Sequence, residues 1–180
     1  VTLGSGTTFS PGATADTIKG DFTNNGAGFE PTTTSTFVFN GSAQQTITGS
    51  FYFYNMTINN ANSVYLNTSG DIGGQLTILS GKLYTNNNIL TLSSTGKLVE
   101  SSANKVSGKI RTTRNVVNSG TQDDNNSFGG LGITILSSGS QLGNTTVTRV
   151  TDVALKGNGV DSIYSTIKRY FDVQPTGTSS

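Results

Sequence analysis

The chain has 180 residues, of which 32% are hydrophobic and 12% are charged, and its formal net charge is +1. A net charge this small provides no overall field that would recruit nucleic acid or an anionic membrane surface. Cysteine and histidine are both absent, which excludes disulfides, thiolate metal sites and the Ser-His and Cys-His catalytic systems. The composition therefore favours a protein that is not an enzyme and needs no cofactor.

No segment approaches the roughly 18 apolar residues that a membrane-spanning helix requires, so we expect no membrane insertion. The chain begins at Val1 without a charged start and an apolar segment after it. We therefore expect an internal or processed fragment whose signal peptide was removed upstream. The expected location is extracellular, at the cell surface.

The first strand candidates are the alternating segments 36–39 and 45–48, which Asn40-Gly41 separates as a turn. Next, Phe51-Tyr52-Phe53-Tyr54 places aromatic side chains on both faces of one strand. One pair is expected in the core and the other on the surface. Packing against a neighbouring sheet or domain is the main interpretation for Tyr52 and Tyr54, and stacking on a sugar ring is the alternative.

Three similar units follow, each with a Thr-centred alternating strand, a polar bend and a second apolar strand. They cover residues 55–66, 75–84 and 89–99, and their anchors Ile58, Ile78 and Leu92 are spaced by about twenty and then about fourteen residues. A parallel β-helix and an antiparallel sandwich both accommodate strands at this density. We favour the β-helix because the units recur at about coil length, with Asn and Ser at bends that suit stacked Asn ladders.

The pattern changes near residue 116. A polar loop at 118–130 precedes alternating segments at 132–136, 145–150 and 168–173, which predict short antiparallel strands. They form either a cap, which an open solenoid end requires, or the start of a β-sandwich. The sequence thus predicts an all-β chain, with solenoid coils over 1–115 that are clearest from about residue 30, and an antiparallel cap or truncated sandwich over 116–180.

The strings VFNGSAQQTITG at 38–49, YNMTINN at 54–60 and LTILSGKL at 76–83 resemble the repeats of very large secreted surface proteins of the Bacteroidetes and Chlorobi lineages. Residues 129–150 and 167–173 are similar to the segment that follows those repeats, so the resemblance covers most of 36–174. It implies an exported, multi-domain, adhesin-like chain. It implies no catalytic residues, because that family shares no catalytic site.

Five cations, Lys97, Lys105, Lys109, Arg111 and Arg114, are close together in the sequence. The main interpretation is a solvated strand face that discourages edge pairing. Binding of phosphate or an anionic glycan is the alternative, with Lys109, Arg111 and Arg114 as candidate contacts.

Asp123 and Asp124 are the only adjacent carboxylates. They are a candidate Ca²⁺ site because calcium binds carboxylate oxygens, but they lack the spacing of a calcium loop, so a solvated loop is the main interpretation. The other acidic residues are scattered singly. We therefore predict no metal, no cofactor and no catalytic residue.

These observations predict a structural or adhesive element of a secreted bacterial cell-surface protein, in a rod or filament. Its expected partners are copies of itself or other surface proteins, with a glycan as a further candidate and no nucleic acid. The alternative is a carbohydrate-binding module, which would show an aromatic and polar patch on one side. A polysaccharide lyase or hydrolase fragment would require two carboxylates within about 10 Å.

Overall fold

A computed structural model describes residues 1–26, 28–29, 31–117, 127–137, 141–155 and 168–176. The first six strands are β1 (Thr2–Leu3), β2 (Thr8–Phe9), β3 (Ala15–Ile18), β4 (Phe22–Asn24), β5 (Gly28–Phe29) and β6 (Thr36–Phe39). The next six are β7 (Gln45–Thr48), β8 (Tyr52–Phe53), β9 (Asn55–Asn59), β10 (Val64–Leu66), β11 (Gly70–Ile72) and β12 (Gln75–Ser80). The remaining elements are β13 (Leu83–Leu92), β14 (Lys97–Val99), β15 (Val106–Val116), a 3₁₀ turn (Phe128–Gly130), β16 (Gly143–Thr151) and β17 (Arg169–Pro175).

The strands form three faces of a parallel β-solenoid. Face 1 stacks β1, β4, β7, β10 and the first parts of β13 and β15. Face 2 contains β2, β5, β8, β11 and the second parts of β13 and β15, and face 3 stacks β3, β6, β9, β12 and β14. Hydrogen-bonded residues of neighbouring coils are typically 20 positions apart. The all-β, parallel solenoid predicted from the sequence is confirmed.

The core is a set of columns in which inward side chains of successive coils stack on one another. On face 3, Ile18, Phe39, Ile58 and Ile78 occupy one column, because alternate residues of each strand point inward. Near the first coils the columns are aromatic: the rings of Phe37 and Phe53 have centroids 4.6 Å apart. Later coils are aliphatic, and the interior stays continuous from the first coil to the last.

Buried amides join the coils at the bend between faces 3 and 1. The side-chain nitrogen of Gln45 donates to the carbonyl oxygen of Ile18 at 3.0 Å, across one coil. The side-chain nitrogen of Asn60 donates to the Gln45 amide oxygen at 2.9 Å and to the Ala43 carbonyl oxygen at 2.8 Å. Both side chains are buried, so these bonds satisfy polar groups that water does not reach.

The predicted alignment of the three repeat units is wrong in its last unit. Ile58 and Ile78 are register partners on face 3, but Leu92 lies on face 2, between Ile72 and Thr112. The spacing of about fourteen residues between Ile78 and Leu92 therefore joins positions on two different faces.

The chain reverses direction at the C-terminal end of the solenoid. β16 pairs antiparallel with β15, from Gly108 opposite Thr151 to Val116 opposite Gly143, and β17 pairs antiparallel with β16. The predicted antiparallel strands at 145–150 and 168–173 are therefore present. The predicted strand at 132–136 is wrong: this segment is irregular, although Ile133 and Ile135 pack against the core.

The 3₁₀ turn lies against β14 and β15 of the last coil. Phe128 and Leu131 are fully buried and belong to the common core. Gly129, with φ of 61°, is so close that a Cβ would overlap the carbonyl oxygen of Gly96, so only glycine fits there. The turn closes the core at a point where β14 has no further parallel strand in the described part of the chain.

Candidate ligand-binding face

The outward side chains of face 2 form a row that crosses six strands, which we call the outer row. Its members come from β8, β11, β13, β15, β16 and β17 in turn and are Tyr52, Asp71, Thr91, Arg111, Thr148 and Asp172. They face outward because the next residues on the first strands, Phe53, Ile72 and Leu92, are the inward column of the same face. The two antiparallel strands extend this outer surface beyond the last coil.

A second row lies beside the outer row and joins it around a shallow cavity. Its members are Ile89, Lys109, Val150 and Tyr170. Val150 points outward but is only 4% exposed. The cavity has a volume of about 360 Å³ and is lined by residues of both rows, with Gln174 at its β17 side. It combines an apolar floor with cationic, aromatic and amide side chains.

Charge alternates along the outer row. Asp71 and Asp172 carry negative charge on either side of the positive Arg111. The Arg111 Nε donates to the Thr91 hydroxyl at 3.2 Å, which orients the guanidinium on the sheet surface. The surface therefore offers hydrogen-bond donors and acceptors rather than a field of one sign.

Four of the candidate contacts from the sequence lie on or beside this surface. Lys109 and Arg111 line the cavity together. Tyr52 is 42% exposed at the far end of the outer row, three strand spacings or about 14 Å from Arg111. Tyr54 is half-buried at the bend after face 2, where its ring lies against Gly73 and Gly74 of the next coil.

Arg114 lies on the other side of the sheet. It is 2% exposed, and its Nη2 donates to the carbonyl oxygen of Gly96 at 2.5 Å. Arg114 is an even number of residues away from the buried Ile110 and Val116, so its side chain points to the same side of β15 as theirs. This spacing is visible in the sequence. The arginine therefore packs at the end of the core, away from Lys109 and Arg111.

The sequence pattern alone does not predict that Arg111 has Thr148, Tyr170 and Asp172 as neighbours. Their own alternation on β16 and β17 is visible in the sequence, so their common face was predictable. Their register with β15 was not, because the connection between β15 and β16 leaves the antiparallel offset undetermined.

The carboxylates of the described residues are dispersed or paired with cations. Asp71 and Asp172 lie four strand spacings apart, about 19 Å, beyond the spacing of glycosidase carboxylate pairs, which reaches about 10 Å. No group of three or more His, Cys, Asp and Glu side chains that could hold a metal occurs in the part of the chain that the structure describes. Asp123 and Asp124, the candidate Ca²⁺ ligands, lie outside the described residues.

Asp152 is held by two lysines at the bend beside β16. Its carboxylate oxygens lie 2.9 Å from the Lys105 Nζ and 3.3 Å from the Lys82 Nζ. Partial burial raises the pKa of Asp152, but hydrogen bonds and charge from Lys105 and Lys82 outweigh it, and the pKa lies below the usual 3.8. The carboxylate is thus ionised at neutral pH.

No helix among the described residues is long and apolar enough to cross a membrane. Comparisons of the chain with models of protein families, with curated proteins and with solved structures gave no match. The functional interpretation therefore rests on the geometry of the residues described above.

Proposed function

We propose that the chain is a structural and adhesive element of a secreted bacterial cell-surface protein. The observation that carries this proposal is the in-register stacking of parallel coils around one continuous core. In such a solenoid each coil contacts only its neighbours, so a stiff rod is built from a narrow core. The solenoid would hold the binding surface away from the cell.

The adhesive part of the proposal rests on the outer row and the adjoining cavity. These surfaces combine Arg111 and Lys109 with the ring of Tyr170 and the amide of Gln174. Partners that fit are another surface protein, a second copy of the chain or a glycan. Alternating charge along the row favours a polar partner of mixed charge over nucleic acid.

The second candidate function is that of a carbohydrate-binding module within a larger secreted protein. The cavity of about 360 Å³ favours it, because a sugar ring could stack on Tyr170 while Lys109 and Arg111 bind its hydroxyl or acidic groups. Tyr52, exposed at the other end of the row, provides a further aromatic contact for an extended chain of sugars.

Immunogold labelling of intact, unpermeabilised producing cells tests the cell-surface proposal. Gold is expected on the outer surface, and negative staining of the released protein is expected to show extended particles or fibres. Labelling that requires permeabilisation would contradict the proposed location, and compact particles at all concentrations would contradict the rod.

A glycan array with the full chain and two variants separates the two candidate functions. If the chain is a carbohydrate-binding module, Arg111→Gln loses binding, and Lys19→Gln, which removes an exposed cation from the first coils, retains it. If the chain is a structural and adhesive element for protein partners, no glycan binds, and Arg111→Gln weakens self-association or capture of a surface protein instead. Equal behaviour of both variants in both assays would place the contact surface elsewhere.

A further inference from the structure

A second polar site lies at the C-terminal end of the solenoid, separate from the outer row. Two cavities of about 300 Å³ each adjoin there and share Ser102 and Arg169 as lining residues. The first is also lined by Lys105, Thr151, Asp152 and Lys168, and the second by Glu100, Ser101, Gly130, Leu131, Gly132 and Arg149.

Positive charge is in excess around these cavities. The lining contains four cations and two carboxylates. Both carboxylates are already bound by more than one cation: Asp152 by Lys82 and Lys105, and Glu100 by Arg149 and Arg169. The exposed Lys168 adds a charge that neither carboxylate balances.

Two buried polar atoms of the lining residues have no hydrogen-bond partner. They are the Thr151 hydroxyl and the Arg149 Nε, on side chains that are 2% and 1% exposed. Buried donors without an acceptor are unfavourable, and native proteins rarely contain them. Thr151 and Arg149 line the cavities and both atoms can donate a hydrogen bond, so an acceptor-rich group that enters the cavities would satisfy them once the side chains turn toward it.

We propose that these cavities bind a tetrahedral oxyanion, either free sulfate or phosphate, or the same group as an ester on a saccharide. Such a group presents acceptor oxygens in several directions, which suits ammonium, guanidinium and hydroxyl donors that approach from β16, β17 and the 101–105 segment. The extra volume of the joined cavities leaves space for a sugar that carries the ester.

Isothermal titration of the full chain with sodium sulfate and inorganic phosphate, against sodium chloride at equal ionic strength, tests the site. We expect one saturable site that chloride does not occupy. Lys168→Gln and Thr151→Val are each expected to weaken sulfate binding by about tenfold, the usual effect of losing one hydrogen bond to a charged group. Thr151→Ser restores the hydroxyl and is expected to bind like the wild type.

Lys19→Gln is the matched control, since it removes one positive charge at the opposite end of the solenoid. It is expected to bind sulfate like the wild type, and thermal melts verify that each variant is folded. No saturable sulfate or phosphate binding would overturn the proposal. Equal affinity of Thr151→Val, Lys168→Gln and wild type, or equal weakening by Lys19→Gln, would also overturn it.

A sulfated disaccharide and its desulfated form then identify the source of the oxyanion. If the ester is the natural ligand, the sulfated sugar competes with inorganic sulfate, binds at least tenfold more tightly and depends on Lys168 and Thr151. If the free ion is the ligand, the sulfated sugar and inorganic sulfate bind with equal affinity. Binding of the desulfated sugar with equal strength would overturn the proposal.

Discussion

The guanidinium of Arg149 and the carboxylate of Glu100 form two hydrogen bonds, of 2.6 Å and 3.0 Å, at the closed end of the core. Arg149 points inward from the reversed strand β16, and Glu100 follows β14 of the last coil. The backbone nitrogen of Val106 also donates to Glu100, at 2.9 Å. One ion pair thus fastens the antiparallel strands to face 3.

Replacing Glu100 by Gln should destabilise the chain by about 3–5 kcal/mol, because the Arg149 charge would stay buried without a counter-ion. Chemical denaturation measures the loss. Asp71→Asn removes an exposed carboxylate and should change stability by less than about 0.5 kcal/mol. The double replacement Glu100→Leu with Arg149→Met should be more stable than Glu100→Gln alone. A loss below about 1 kcal/mol for Glu100→Gln would contradict this account.

Asp152 should make the stability of the chain depend on pH. Its pKa is lowered in the folded state, so its stabilising effect is complete above the ordinary pKa of 3.8 and disappears as pH falls through the lower folded value. Asp152→Asn should therefore lose about 0.5–1 kcal/mol at pH 7, and its difference from the wild type should shrink as pH is lowered from 4 toward 2. Denaturation across this pH range tests it, and a difference that persists unchanged to pH 2 would refute the assignment.

Gly70 is required by the ring of Phe51, which lies over it from the preceding coil. A Cβ at position 70 would overlap that ring, whereas a Cβ at Gly4 would meet no atom within 4 Å. Gly70→Ala should lower the unfolding free energy by about 2–3 kcal/mol, and Gly4→Ala should leave it nearly unchanged. Phe51→Leu should be less damaging in the Gly70→Ala background than in the wild type. Additive losses would argue against the contact.

Asn60 should be among the most sensitive amides of the chain, since its side chain bonds both Gln45 and Ala43. Truncation to Ala leaves buried backbone and amide groups unsatisfied, and about 2 kcal/mol of stability should be lost. Asn87 is exposed, and Asn87→Ala is the matched control, with an expected change within about 0.5 kcal/mol. Similar melting curves for the two variants would contradict a structural role for Asn60.

Replacement of Asp16 by an apolar residue is expected to raise stability, whereas replacement of Asn60 lowers it. Asp16 occupies an inward position in register with Phe37 and Met56, and its Oδ2 is buried without a hydrogen-bond partner. Asp16→Leu should raise stability by about 1 kcal/mol because an apolar group replaces an unsatisfied polar one. Asp71→Leu, at an exposed outward position of β11, provides the comparison. A destabilised Asp16→Leu chain would show that the carboxylate has a partner.

The sequence predicted the solenoid because alternation and Asn-containing bends are local signals. Ile58 and Ile78 are true register partners, and Asn60 lies at a bend as expected of amide ladders. Leu92 was placed on the wrong face because each unit was given two strands, whereas a coil has three faces and residues 89–92 belong to face 2. Asn86, with φ of 54°, lies at the corner between faces 1 and 2, but this corner was interpreted as the start of a new unit.

The candidate sites were less predictable than the coils. Lys109 and Arg111 were identified as candidate contacts because two cations at alternate positions of one strand point to the same face, and this pattern is visible in the sequence. Arg149 and Glu100 were not recognised as a pair, since they are 49 residues apart and only the reversal of β16 brings them together. Long-range pairing of this kind depends on the offset between strands, which single-sequence patterns do not determine.

Coils of 19 to 25 residues stack in register, so the number of coils sets the length of the solenoid. Duplication of one unit of 20 residues between the first and last coils would lengthen the solenoid by about 4.8 Å, the spacing between neighbouring strands. Both ends would keep their present contacts. Copy number would then set the distance between the outermost coils, so related chains could change their reach by gaining or losing whole coils while the reversed strands stay the same.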